Sequence, residues 1–140
     1  MSTLTGLGEA QRIERSEHRS VKFRWKVRDT DFGTLFAELV VSHRKAGINY
    51  FTYERTTEDF FNVSLGNIET EDRGDGSAVE RFTAFAGLGL FRYEAGKRFS
   101  RKKLNEAADR ALAEFTERYE SGDGRVLAYF AEDAQALTQR

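Results

Sequence analysis

The chain has 140 residues, of which 39% are hydrophobic, 32% charged and 13% aromatic, which fits one soluble globular domain with a modest core and excludes a disordered or fibrous chain. It has no cysteine, so disulfides, thiolate nucleophiles and cysteine-held zinc or iron–sulfur centres are ruled out, and its formal net charge of -1 argues against a surface that grips nucleic acid on all sides. No run approaches the roughly 18 apolar residues of a membrane span, and the opening residues lack the basic-then-apolar order of a secretory signal, so the expected location is the cytoplasm.

There is also no proline, which leaves the turns to glycine. Residues 1–8 are small and polar, without periodicity, and read as a tail. From 11 to 20 the charges alternate in sign (Arg12, Glu14, Arg15, Glu17, Arg19) around Ile13, the pattern of a short solvated helix or a continuation of the tail. The expected organisation is therefore a flexible or partly helical tail over 1–19 and a single domain over 20–140.

Residues 21–28 alternate strictly. Val21, Phe23, Trp25 and Val27 fall on one face of a strand and Lys22, Arg24, Lys26 and Arg28 on the other. Asp29 and Asp31 offer caps, and Phe32, Leu35, Phe36, Leu39, Val40 and His43 recur at helical spacing, which predicts a helix over 31–46 stopped by Gly47. Alternation and aromatic content predict strands over 48–56, 60–68, 79–86 and 88–94, with an acidic, glycine-bearing turn over 69–76. Ser100 caps the best helix in the sequence, whose stripe is Leu104, Ala107, Ala108, Ala111, Leu112, Phe115 and Tyr119. Leu127, Phe130, Ala131, Ala134 and Leu137 suggest a short terminal helix over 125–138. The fold class implied is α+β, an antiparallel sheet of about four or five strands packed on two main helices, plus a short C-terminal helix.

Little in the sequence points to catalysis. Acid–base and nucleophilic chemistry recruits histidine, cysteine or paired carboxylates, and the two histidines are His18, among exposed charges, and His43, read as a boundary residue near a helix end. The acidic group Glu69, Glu71, Asp72 and Asp75 lacks the alternate ligand spacing of a calcium loop, because Arg73 and Gly74 fall where ligands belong. No phosphate-binding glycine loop is present, so neither metal nor cofactor is expected, nor an enzyme.

Two basic features carry the functional expectation. The first is the ladder Lys22, Arg24, Lys26 and Arg28, whose charges would stand about 6.6 to 6.8 Å apart on one strand face, close to the spacing of phosphates along a nucleic-acid strand. The second is the cluster Lys97, Arg98, Arg101, Lys102 and Lys103 at the entrance of the long helix. Cations there oppose the helix dipole, and a sequence that tolerates this repulsion is suited to an external anion, which the free backbone N–H groups would also favour.

The stretch Phe36-Ala37-Glu38-Leu39 to His43-Arg44-Lys45-Ala46-Gly47, running into Ile48-Asn49-Tyr50-Phe51-Thr52-Tyr53-Glu54, resembles the first helix and strand of the double-stranded RNA-binding domain. Ser100-Arg101-Lys102-Lys103-Leu104-Asn105-Glu106-Ala107-Ala108 resembles that family's last helix. The resemblance implies that Glu38 faces an RNA minor groove and that Arg101, Lys102 and Lys103 touch phosphates across the major groove. The family's glycine-proline-histidine loop has no counterpart here, and about 25 extra residues intervene over 56–80. The partner expected is thus structured nucleic acid, double-stranded RNA in the first instance. The alternative is a protein partner met by an aromatic surface around Phe60, Phe61, Tyr93 and Phe99, as in a small accessory or inhibitory protein of a virus or mobile element.

Overall fold

The computed structural model describes residues 3–4, 8–15, 19–48, 53–72, 74, 78–85, 91–96 and 98–123. The elements in chain order are β1 (Thr3–Leu4), β2 (Gly8–Glu9), β3 (Gln11–Arg15), β4 (Ser20–Asp29), β5 (Thr34–Arg44), β6 (Gly47–Ile48), β7 (Arg55–Thr56), β8 (Asp59–Asp72), β9 (Ala78–Phe85), β10 (Phe91–Gly96) and the helix α1 (Arg101–Glu120).

An antiparallel sheet runs in the order β3, β4, β5, β8, β10, and β9 also pairs with β8. The strand β8 is long enough to be shared. β5 pairs along most of its length, leaving its other edge for β10 over residues 59–63 and for β9 over residues 66–72. The short strands β6 and β7 pair with each other at the tip of the β5–β8 connection, and β1 pairs with β2.

Two expectations are corrected. Among the described residues α1 is the one helix, so the sheet does not pack on two main helices, and the terminal helix expected over 125–138 lies outside the described residues. The helix expected over 31–46 is instead the central strand β5. Leu35, Ala37, Leu39, Val41 and His43 lie on one face of it and Glu38 and Ser42 on the other, and all seven are buried. A strand covered on both faces loses its alternation, and Phe36 and Val40 on the second face then mimic a helical stripe. The cap signal at 29–31 has another use as well. Thr30 N–H donates to the Gly33 carbonyl at 2.8 Å and Gly33 N–H to Thr30 Oγ1 at 3.0 Å, which closes the β4–β5 hairpin. Gly33 is required there because a Cβ would sit 1.9 Å from the Thr70 carbonyl oxygen.

Smaller differences follow the same logic. Residues 11–15 pair with β4 and so belong to the sheet, not to a tail or helix. β8 passes through Gly66 without a break and absorbs Glu69, Glu71 and Asp72, for which the sequence pattern predicts a turn; Asp75 lies outside the described residues. The strand expected over 48–56 reduces to β6 and β7, with residues 49–52 outside the described set.

α1 crosses one face of the sheet. Val21, Phe23 and Trp25 of β4, Leu39 and Val41 of β5, Phe61, Val63 and Leu65 of β8 and Tyr93 and Ala95 of β10 meet Leu104, Ala107, Ala108, Ala111 and Phe115. The Trp25 and Phe115 rings stack with centroids 5.1 Å apart. The sheet wraps the helix from both edges. On one flank Arg12 of β3 donates to Asp109 at 3.1 Å and Asn105 at 3.2 Å; on the other, Arg110 and Arg118 lie over Tyr93 and Phe91 of β10 at 4.1 and 4.8 Å. Burial, and then the neighbouring Glu114 carboxylate, push the Tyr93 hydroxyl well above the ordinary tyrosine range. No helix among the described residues is long and apolar enough to cross a membrane.

Candidate functional site

The cation ladder does not survive as an external charged face. The Arg24 guanidinium donates to Glu38 Oε2 through Nε at 3.0 Å and Nη2 at 2.7 Å, and Lys22 Nζ lies 3.4 Å from Glu38 Oε1. The Glu38 side chain is 3% exposed, so it sits inside the pair it neutralises and cannot face a groove. Arg24 also reaches Glu80 of β9 at 3.3 Å and lies over the Phe36 ring. Lys26 pairs with Asp29 at 3.1 Å. A bulge between Lys26 and Arg28 shifts the register, so that Arg28 stands opposite Leu35 and leaves the face of Lys22, Arg24 and Lys26.

The cluster at the head of α1 has a different fate. Ser100 caps the helix, its hydroxyl accepting from Lys103 N–H at 3.3 Å, and no acidic residue occupies the first turn. Lys102 and Lys103 are exposed, as is Arg98; Lys97 lies outside the described residues. Folding brings further cations to this end. Arg19 accepts the His43 N–H through its carbonyl at 3.0 Å and sets its guanidinium over the Phe99 ring at 4.8 Å, while Arg101 lies over the same ring at 5.4 Å. Arg44 and Lys45 follow His43 at the end of β5 and are exposed. Gly96, which pairs with Asp59, holds φ +78, the left-handed region that favours glycine.

Arg19, Arg44, Lys45, Arg98, Arg101, Lys102 and Lys103 thus gather from three chain segments, and none of them makes an ion pair among the described residues. The sequence reading missed Arg19, Arg44 and Lys45. The strand-end position of Arg44 and Lys45 would have signalled them had β5 been recognised.

Beneath this end lies a histidine–aspartate pair, the histidine buried and the aspartate partly exposed. His43 Nε2 stands 2.8 Å from Asp59 Oδ2, and Asp59 Oδ1 accepts the Ala46 N–H at 2.8 Å. That backbone donor first, then His43, and then the charge of Lys45, hold the Asp59 carboxyl below its ordinary value. The His43 ring packs nearly perpendicular to Phe61 and to Phe99, with centroids 5.4 Å away in both pairs, and its Nδ1 has no hydrogen-bond partner. Such a pair can orient an imidazole, and among the described residues no hydroxyl is bonded to it.

An open cleft of about 370 Å³ lies beside the pair, lined by Arg55, Asp59, Phe60, Arg92 and Glu94 among others. Two of its charges, Asp59 and Arg92, are already paired. Arg92 grips Glu54 with two bonds of 2.6 and 2.7 Å while covering Phe60 at 4.5 Å, and the contact lowers the Glu54 carboxyl and raises Arg92. Phe61 and Tyr93 are core residues and Phe60 and Phe99 lie beneath arginines, so these four rings do not form an open aromatic surface. Among the described residues no three histidine, aspartate or glutamate side chains converge to hold a metal. No family model matches this chain, and no curated protein or solved structure is significantly similar to it.

Proposed function

We propose that this protein binds structured nucleic acid, with RNA as the first class to test, through the basic end formed by Arg19, Arg44, Lys45, Arg98, Arg101, Lys102 and Lys103, and that it does so without catalysis. The observation that carries the reading is the convergence of these seven cations, free of ion pairs among the described residues, on a helix whose first turn contains no acid. A net charge of -1 makes the concentration of cations at one end more telling; the Asp59 carboxylate beneath it is held by His43 and the Ala46 N–H and feels the charge of Lys45. Point charges and backbone N–H groups at a helix head meet phosphates, which set position and affinity while carrying no base information. The contact is therefore one of charge and shape.

The test is a titration of the purified protein against double-stranded RNA, single-stranded RNA and duplex DNA at several salt concentrations. Micromolar or tighter binding is expected, with a log–log salt slope of several units, since each phosphate contact contributes about 0.7 to 0.9. Lys102→Glu combined with Lys103→Glu should abolish it. Absence of binding to all three at low salt would overturn the reading.

A further inference from the structure

The β6–β7 hairpin continues directly from the exposed cations that end β5. Arg44 closes β5, Lys45 and Ala46 follow, and Gly47–Ile48 then pair with Arg55–Thr56. The hairpin is fastened at its base. Asp59 Oδ1 accepts the Ala46 N–H at 2.8 Å, Thr56 Oγ1 accepts the Gly47 N–H at 3.3 Å, and Arg92 holds Glu54 through bonds of 2.6 and 2.7 Å. The residue before Glu54 is Tyr53, whose ring is 83% exposed; it and Ile48, at 43%, are the large hydrophobic side chains left exposed among the described residues. Tyr53 also holds φ +57, the left-handed region, where every other described residue except Arg19 is a glycine. A bulky side chain is rarely kept at such a position, and residues held there cluster at functional sites. The ring adds nothing to the core, so packing does not account for it.

The charges around this ring are predominantly basic once the ion pairs are removed. Arg44, Lys45 and Arg55 are exposed and make no ion pair among the described residues, whereas Glu54 is bound to Arg92 and Asp59 to His43, leaving Glu58 as the unpaired acid of the segment. Chain geometry bounds the separation. At no more than about 3.6 Å per residue and about 5 Å across the strand pair, Tyr53 lies within about 25 Å of Lys45, a reach of a few nucleotides.

We propose that Tyr53 is a base-stacking contact, its ring taking one unpaired nucleobase of a nucleic acid whose phosphates meet Arg44, Lys45 and Arg55. The inference rests on the reading of the basic end as a nucleic-acid interface and names the feature recognised there, a duplex bordered by a single-stranded segment. Bases inside a duplex are stacked on one another and cannot cover an outside ring, whereas an unpaired base offers its face to any exposed aromatic while nearby cations hold the backbone. The fastened hairpin base holds the ring in place before binding, which lowers the cost of ordering it.

The experiment measures fluorescence anisotropy of labelled RNA, as a blunt duplex, as the same duplex with a short single-stranded extension, and as a single strand, with the full chain as wild type, Tyr53→Gly, Tyr53→Phe and Lys102→Glu with Lys103→Glu. The wild type should bind the extended duplex more tightly than the blunt one. Tyr53→Gly should weaken the extended duplex about tenfold, leave the blunt duplex unchanged and leave the salt slope unchanged, since stacking adds no phosphate contact. Tyr53→Phe should bind as the wild type does. Glycine takes the left-handed backbone without strain, so the melting temperature of Tyr53→Gly should hold or rise, and a loss of binding is then not a loss of fold. If duplex RNA binds and Tyr53→Gly matches the wild type on the extended duplex, or weakens both duplexes equally, the interface stands and the stacking contact falls. If the single strand responds to Tyr53→Gly but not to charge reversal at Lys102 and Lys103, the stacking contact stands and the reading of the helix head falls. If none of the three RNAs binds at low salt, both are overturned.

Discussion

Removing the Glu38 carboxylate tests whether the cations of β4 belong to the fold or to a ligand. In Glu38→Ala two partly enclosed cations lose their common partner: Arg24, 12% exposed, loses bonds of 2.7 and 3.0 Å, and Lys22, 25% exposed, loses a contact of 3.4 Å. Breaking a buried pair from one side costs about 3 to 5 kcal/mol, because the remaining charge stays desolvated. Arg24 keeps Glu80 at 3.3 Å and Lys22 can turn toward water, which places the expected loss at the lower end, about 3 kcal/mol. With a urea dependence of about 2 kcal/mol per molar, the unfolding midpoint should fall by about 1.5 M. Glu38→Gln, which keeps an acceptor but not the charge, should fall between the wild type and Glu38→Ala. A loss below about 1 kcal/mol for Glu38→Ala would refute the reasoning and return Lys22 and Arg24 to the list of surface cations.

Gly33→Ala should destabilise by about 2 kcal/mol or more, since its Cβ would overlap the Thr70 carbonyl oxygen of β8 and push the tip of the β4–β5 hairpin away from that strand; an unchanged melting curve would contradict the packing of that turn on β8. Leu104→Ala should cost about 2 to 5 kcal/mol as a fully buried core residue, and Leu112→Ala clearly less because it packs only partly buried against the same cluster; equal losses in chemical denaturation would contradict the orientation of α1. Asp59 has a folded-state pKa below its ordinary 3.8, so its interactions stabilise the fold above that value and are lost as pH falls through the folded value. The stability gap between the wild type and Asp59→Asn, followed by denaturant unfolding across pH, should therefore close on acidification. A gap that stays constant down to the most acid condition would show that the bonds to His43 and Ala46 do not depend on the carboxylate charge.

What the sequence made legible was local. β4 announced itself by alternation, and α1 by its apolar stripe and its Ser100 cap, because each buries one face and leaves the other wet. β5 was misread because it is covered on both sides, so the order of Phe36, Leu39, Val40 and His43 is compatible with either period. A helix over 31–46 would put Glu38 on a free surface, whereas in the structure residues 36–44 of the stretch compared with the first helix of the double-stranded RNA-binding domain lie in strand β5. The cations at 98–103 were recognised because they stand together in the chain and oppose the dipole of their own helix. Arg19, Arg44 and Lys45 join them only through the pairing of β4 with β5 and the docking of Phe99, contacts of long sequence separation that no local pattern encodes. The pairing of Lys22 and Arg24 was hidden for the same reason, since their partners Glu38 and Glu80 come from two other strands.

The central claim is that phosphate is met at the head of α1 and not on the outer face of β4. The most direct measurement is the salt dependence of duplex RNA affinity for the wild type, for Lys102→Gln with Lys103→Gln, and for Lys22→Gln with Lys26→Gln. Each lost phosphate contact removes about 0.9 from the slope on a B-form duplex, and a decrement of that sense is expected here. The account predicts a slope reduced by about two contacts in the first variant and unchanged in the second. An unchanged slope at Lys102 and Lys103 together with a reduced one at Lys22 and Lys26 would contradict it.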